Sequence, residues 1–98
     1  MTETAAKLEW ETEALRKYQL MISKIPLFHR EIAKIVVDKK AVLNARERDA
    51  EMVGERDIVN AFFSEVPKAF YSLMIRLLDE VGFYYEENGY GFKKGVKK

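Results

Sequence analysis

Apolar positions recur three or four residues apart along most of the chain, and this period predicts four helices. The first helix is expected to end near Ser23, the second to begin around Pro26, the third to span residues 55 to 63 and the fourth to end at Gly82. Proline suits a first turn, where its missing N–H costs nothing, and glycine suits the left-handed position that follows a helix. Residues 5 to 81 are therefore predicted to be largely helical.

The second helix is predicted to be long, because the charged run from Arg46 to Glu51 can extend it toward Gly54. Trp10 and Phe28 are interpreted as core anchors, since large aromatic side chains remove the most surface from water when they are buried. One face of this helix is predicted to be apolar, and it consists of Phe28, Ile32, Ile35, Val36, Val42 and Leu43.

After Gly82 the period changes from 3.6 to 2, which predicts a hairpin. Asn88-Gly89 favours a type I′ turn, because both residues tolerate the positive φ that this turn requires. The expected role of its aromatic face is to cover the core, and the alternative role is to contact a ligand or partner. That face consists of Phe83, Tyr85, Tyr90 and Phe92. The predicted fold is mainly α, a small four-helix domain over residues 1–98 with a C-terminal β-hairpin.

Composition narrows the class of protein. The 98 residues include no cysteine, which excludes disulfides, thiol catalysis and iron–sulfur ligation by cysteine. Four of the 17 basic residues lie in the tail after residue 92, which leaves 13 basic against 16 acidic residues in the body. Neither a leader segment nor an apolar run of about 20 residues is present, so we expect a cytoplasmic domain with no membrane partner.

Residues able to perform catalysis are sparse. His29 is the single histidine, so a metal site would have to be completed by carboxylates alone. The acidic pairs Asp79-Glu80 and Glu86-Glu87 are adjacent in sequence and do not predict general acid–base work. The sequence therefore predicts a protein that is not an enzyme and that holds no metal and no cofactor.

Four short motifs resemble a known family of small helical domains. They are Leu8-Glu9-Trp10-Glu11-Thr12-Glu13-Ala14, Ile25-Pro26-Leu27-Phe28-His29-Arg30, Ala45-Arg46-Glu47 and Val53-Gly54-Glu55-Arg56-Asp57-Ile58. With these motifs the chain resembles the PCP-reductase domain over about residues 8 to 63. In that family the domain is found at the C-terminus of the B subunit of light-independent protochlorophyllide reductase and in small stand-alone proteins.

The resemblance implies an accessory role, in which the module packs against a larger oxidoreductase or another partner near a tetrapyrrole and catalyses nothing itself. Arg30 is the better candidate for a contact among the shared residues, because an arginine in a first helical turn is not favoured by the helix dipole. Together with the hairpin aromatics, the predicted contact residues are His29, Arg30, Tyr85, Tyr90 and Phe92.

Two other functions are compatible with the sequence. The chain could bind DNA, through a winged helix or a histone-like layout, but its mildly acidic body disfavours phosphate contact. It could instead self-associate, because the last forty residues are rich in large apolar side chains that a small core cannot cover. The expected partner is therefore another protein or a second copy, with nucleic acid possible but disfavoured.

Overall fold

A computed structural model describes residues 8–83, and this part of the chain is mainly helical, as predicted. The hairpin predicted after Gly82 lies outside the described residues, apart from Phe83. In chain order the elements are β1 (Glu9–Trp10), α1 (Thr12–Ser23), α2 (Leu27–Glu47), β2 (Met52–Val53), α3 (Glu55–Glu65), a single-turn 3-10 helix (Lys68–Phe70) and α4 (Tyr71–Val81).

The two strands form a small parallel sheet that the sequence pattern did not predict. Glu9 pairs with Met52 and Trp10 with Val53, and the N–H of Glu11 donates to the carbonyl of Val53 at 3.0 Å. Two-residue strands are too short to show alternation between polar and apolar positions. The sheet joins the segment before α1 to the segment before α3, so the two ends of the α1–α2 pair are held together.

The centre of the fold is the packing of α3 against α2, which is the most extensive contact between helices. On α2 the buried residues are Val37, Ala41 and Ala45, spaced four apart and fully shielded from solvent. Residues four apart lie on one face of a helix, and alanine lets a neighbouring backbone approach closely. The side chains that α3 buries in the core are much larger, and they include Ile58, Val59, Phe62 and Phe63.

Helix α2 ends at Glu47, well short of the predicted extension toward Gly54. Asp49 adopts a left-handed conformation with φ of 56°, and the N–H of Ala50 donates to the carbonyl of Ala45 at 2.9 Å. This is the hydrogen-bond pattern that commonly ends a helix, with aspartate in the position usually taken by glycine. The charged run therefore turns the chain into β2 and does not prolong the helix.

The turn into α3 is held by a buried carboxylate. Asp57 is almost fully buried; it accepts from the N–H of Gly54 at 2.9 Å and from two nitrogens of Arg48 at 2.8 Å each. Such a two-point pair is a strong, directional contact. The hydrogen bonds to Asp57 also raise the pKa of the Arg48 guanidinium above its ordinary value. This pair, called the Arg48–Asp57 clamp below, fixes the start of α3 against the end of α2.

Helix α4 closes the other side of the core. Met74 and Leu78 are its buried residues, and Gly82 ends it in the left-handed conformation predicted from the sequence, with φ of 96°. Phe83 follows and is also buried. Lys17 of α1 bonds the carboxylate of Glu55 at 2.7 Å and the carbonyl of Gly82 at 3.0 Å, so one ammonium group joins α1, α3 and the end of α4.

Replacing Arg48 should destabilise the fold more than replacing a nearby exposed arginine. Arg48→Met leaves the buried Asp57 carboxylate with the N–H of Gly54 as its donor. At fully buried sites, removing one partner of an ion pair lowers the free energy of unfolding by several kcal/mol. Because the Arg48 side chain is 38% exposed, water can partly compensate, and we expect a loss of about 2–3 kcal/mol. Arg56→Met, the control, should change the unfolding free energy by less than about 0.5 kcal/mol. Urea denaturation measures both, and equal losses would contradict the role given to the clamp.

Candidate functional site

The long helix α2 carries a second apolar face, opposite the one that packs on α3. Successive residues of an α-helix are turned by about 100°, which places this second set on the far side of the helix from Val37, Ala41 and Ala45. Phe28 is 77% exposed, Ile32 67% and Ile35 63%. We call this face the outer stripe of α2, and it consists of Phe28, Ile32, Ile35, Val36 and Leu43.

The outer stripe is most open in the N-terminal half of the helix. None of the residues from Leu27 to Val36 is buried among the described residues, whereas every buried residue of α2 lies between Val37 and Ala45. The N-terminal half thus contributes little to the core, although it is rich in large apolar side chains. An apolar helix segment of this kind is typical of a surface that another molecule covers.

This finding corrects one expectation from the sequence. The apolar face assigned to helix two was Phe28, Ile32, Ile35, Val36, Val42 and Leu43, and among these only Val42 packs against the core while the others are exposed. The interpretation of Phe28 as a core anchor is wrong, because the core meets α2 through its small residues. Trp10 is half-buried, and its ring stacks on that of Tyr18 with the centroids 5.2 Å apart, so its packing role is supported.

Tyr18 attaches the middle of α2 to α1. Its phenol donates a hydrogen bond to the carboxylate of Asp38, and the phenol oxygen lies 3.3 Å from the carbonyl oxygen of Lys34. Burial is the main cause that raises the pKa of Tyr18 above its ordinary value, and the neighbouring Asp38 carboxylate raises it further. The neutral phenol is therefore the form that the fold holds, and it fixes the helix at the point where the inner packing begins.

Arg30 holds the turn at the start of α2. Its guanidinium donates to the carbonyl of Ser23 at 2.9 Å and to the carbonyl of Ile25 at 2.9 and 3.1 Å. The carbonyls at the end of a helix have no partner within the helix, and a cation is favourable there. This explains an arginine in the first turn of α2 by its bonds to the end of α1, and the contact role predicted for Arg30 stays a prediction.

The other predicted contact residues are divided between this face and the remainder of the chain. His29 is exposed, with its ring centroid 4.9 Å from that of Phe28 at one end of the outer stripe. Tyr85, Tyr90 and Phe92 lie outside the described residues. Within residues 8–83 no group of three or more histidine or acidic residues is placed to hold a metal ion. Among residues 8–83, the outer stripe is thus the surface best suited to bind another molecule.

Sequence reasoning missed Ile32, Ile35 and Leu43 as surface residues, although a signal was present. Val37, Ala41 and Ala45 form a row of small residues on the opposite side of the same helix. A helix with apolar positions on both sides has two surfaces to cover, and small residues mark the side where another helix comes close. The large side chain of Phe28 suggested instead that its own face was the buried one, and that face is exposed.

Comparisons with family models, curated proteins and solved structures give no match to this chain. The resemblance to the PCP-reductase domain therefore stays an expectation from the sequence motifs. In the described part of the chain, no helix has the length and apolar character that a membrane crossing requires.

Titration of Tyr18 should be coupled to unfolding. Its pKa is raised in the folded chain, so the stabilising contribution is complete below about pH 10, where an unfolded tyrosine ionises, and declines as the pH rises further. The unfolding free energy of the native chain should consequently fall more steeply above about pH 10 than that of Tyr18→Phe. While the chain is folded, tyrosinate absorbance of the native chain and of Tyr18→Phe should rise by the same amount, and the additional ionised group of the native chain should appear only on unfolding. Full ionisation in the folded chain would contradict the assigned environment.

Proposed function

We propose that this protein is an accessory, non-catalytic module that binds another polypeptide through the outer stripe of α2. The observation that carries the proposal is the exposure of five large apolar side chains along one side of a single helix. From Phe28 to Leu43 the stripe runs about 22 Å along the helix axis. A helix face with anchors at these spacings is a common form of recognition surface for a second helix.

The apolar character and the fixed position of the outer stripe support a binding role. Contiguous apolar patches on monomeric proteins rarely exceed a few hundred Å², and larger ones mark interaction sites. The stripe is also held in place, because Tyr18 binds the middle of α2 to α1 and Arg30 binds the first turn of α2 to the end of α1. A preformed surface loses little conformational freedom on binding, so more of the contact energy appears as affinity.

The charges of the described residues favour a protein partner over DNA. A histone-like arrangement could use Arg46, Arg48 and Arg56 against phosphate. The guanidinium of Arg48 is already bonded to the carboxylate of Asp57, which neutralises its charge locally. Because phosphate contacts supply most of the affinity for DNA, the loss of one of three cations weakens that alternative.

The resemblance to the PCP-reductase domain agrees with this proposal. It implies a module that packs against a larger oxidoreductase or another partner, and that role requires an apolar docking face. The resembling segment from residue 8 to residue 63 includes all of α2, so the outer stripe belongs to it. The resemblance names a larger oxidoreductase or another partner, and it does not specify which polypeptide the outer stripe binds.

Photo-crosslinking in cells that make the protein tests the proposal. A photoreactive phenylalanine analogue replaces Phe28 in one variant and Phe70 in the control, which is also an exposed phenylalanine, at 53%, but lies outside α2. We expect the analogue at position 28 to form a crosslink to one polypeptide that mass spectrometry identifies. This crosslink should disappear when Ile32→Glu is added, because a charge within the stripe opposes burial.

Three results would contradict the proposal. Equal labelling from positions 28 and 70 would mean that the stripe has no special role. A crosslink at position 28 that survives Ile32→Glu would mean that the stripe is not the contact surface. Crosslinks to nucleic acid from position 28 would favour the DNA-binding alternative.

A further inference from the structure

We propose that the outer stripe of α2 binds the same stripe of a second copy of this chain, with the two helices antiparallel. This inference rests on the proposed function and names its partner. A two-fold symmetric interface requires a surface that is complementary to itself. The outer stripe and its charged neighbours meet that requirement in one orientation and fail it in the other.

The apolar residues of the stripe are distributed almost evenly about its middle. If the two-fold axis passes between Ile35 and Val36, each of these residues faces the other in the second copy, and Phe28 at one end faces Leu43 at the opposite end. The large ring is thereby placed against a branched aliphatic side chain at both ends of the interface. Every large apolar side chain of the stripe except Ile32 has an apolar counterpart in this arrangement.

The charges on this face favour the antiparallel orientation. Glu31 lies beside the stripe in the N-terminal half of α2, and Lys39 lies within the stripe in the C-terminal half. Neither residue forms an ion pair among the residues that the structure describes. In the antiparallel arrangement Glu31 comes level with residues 39 and 40 of the second copy. The long stem of Lys39 can cover Ile32 of the second copy while its ammonium reaches Glu31.

A parallel arrangement would bring like charges together. Lys39, which lies within the stripe, would then face Lys39 of the second copy across the apolar surface. Like charges opposed in an interface are strongly unfavourable, because neither can be solvated fully or paired. The same residues therefore attract in one orientation and repel in the other, and this pattern identifies a second copy as the occupant.

Sedimentation equilibrium of the full chain tests the inference through a charge exchange. We expect the native chain to dimerise and Ile32→Glu to be monomeric. Glu31→Lys and Lys39→Glu should each weaken the dimer about tenfold, because two symmetric pairs become repulsive. The double variant with both changes should restore the affinity to within about threefold of the native value. Leu73→Glu, at an exposed site on α4, is the control and should dimerise as the native chain does.

The remaining outcomes decide against the inference. A native chain that stays monomeric would overturn it, and so would a dimer that Ile32→Glu leaves intact. A dimer whose affinity the double variant fails to restore would overturn the antiparallel arrangement. Circular dichroism of each variant shows whether its helices are retained, and a second substitution, Ile35→Glu, repeats the test if Ile32→Glu does not fold. If the chain is monomeric while position 28 still crosslinks to a different polypeptide, the proposed function stands and this inference fails.

Discussion

The close approach of α3 to α2 over Val37, Ala41 and Ala45 is the contact on which the rest of the structure depends. Small residues on one helix let the large side chains of the other reach deep into the core, and dense packing of this kind supplies much of the stability of a small domain. The same contact leaves no place on that side of α2 for its own large side chains. They lie on the opposite side, where they form the outer stripe.

The polar contacts of the fold serve this packing. The Arg48–Asp57 clamp fixes the start of α3 beside the end of α2, and Tyr18 holds the middle of α2 against α1 through Asp38. These contacts hold α2 at its middle and at its C-terminal end, and they thereby fix its orientation. The N-terminal half is thus presented as a preformed helix, and its apolar side chains are available for binding without a further ordering step.

The sequence predicted the helices well where local chemistry decides them and less well where packing decides. Pro26 and Gly82 lie at helix boundaries because their backbone preferences act locally. The β1–β2 pair was missed, since two residues carry no periodicity, and the end of α2 was misplaced because Asp49 takes a conformation usually left to glycine. Phe28 was assigned to the core because its size was considered without the small residues on the opposite face. The row of small residues Val37, Ala41 and Ala45 marks the face that α3 buries, but the size of the side chains on the other face favoured the opposite interpretation.

Two adjacent valines provide the most direct test that α2 has one face for folding and another for binding. Val37 is fully buried and Val36 lies in the outer stripe. Urea denaturation should be followed at a protein concentration low enough that the midpoint no longer depends on it. We expect Val37→Ala to lower the unfolding free energy by about 2 kcal/mol and Val36→Ala to change it by less than about 0.5 kcal/mol. Equal losses from the two substitutions would show that the outer stripe belongs to the folding core and would contradict the account.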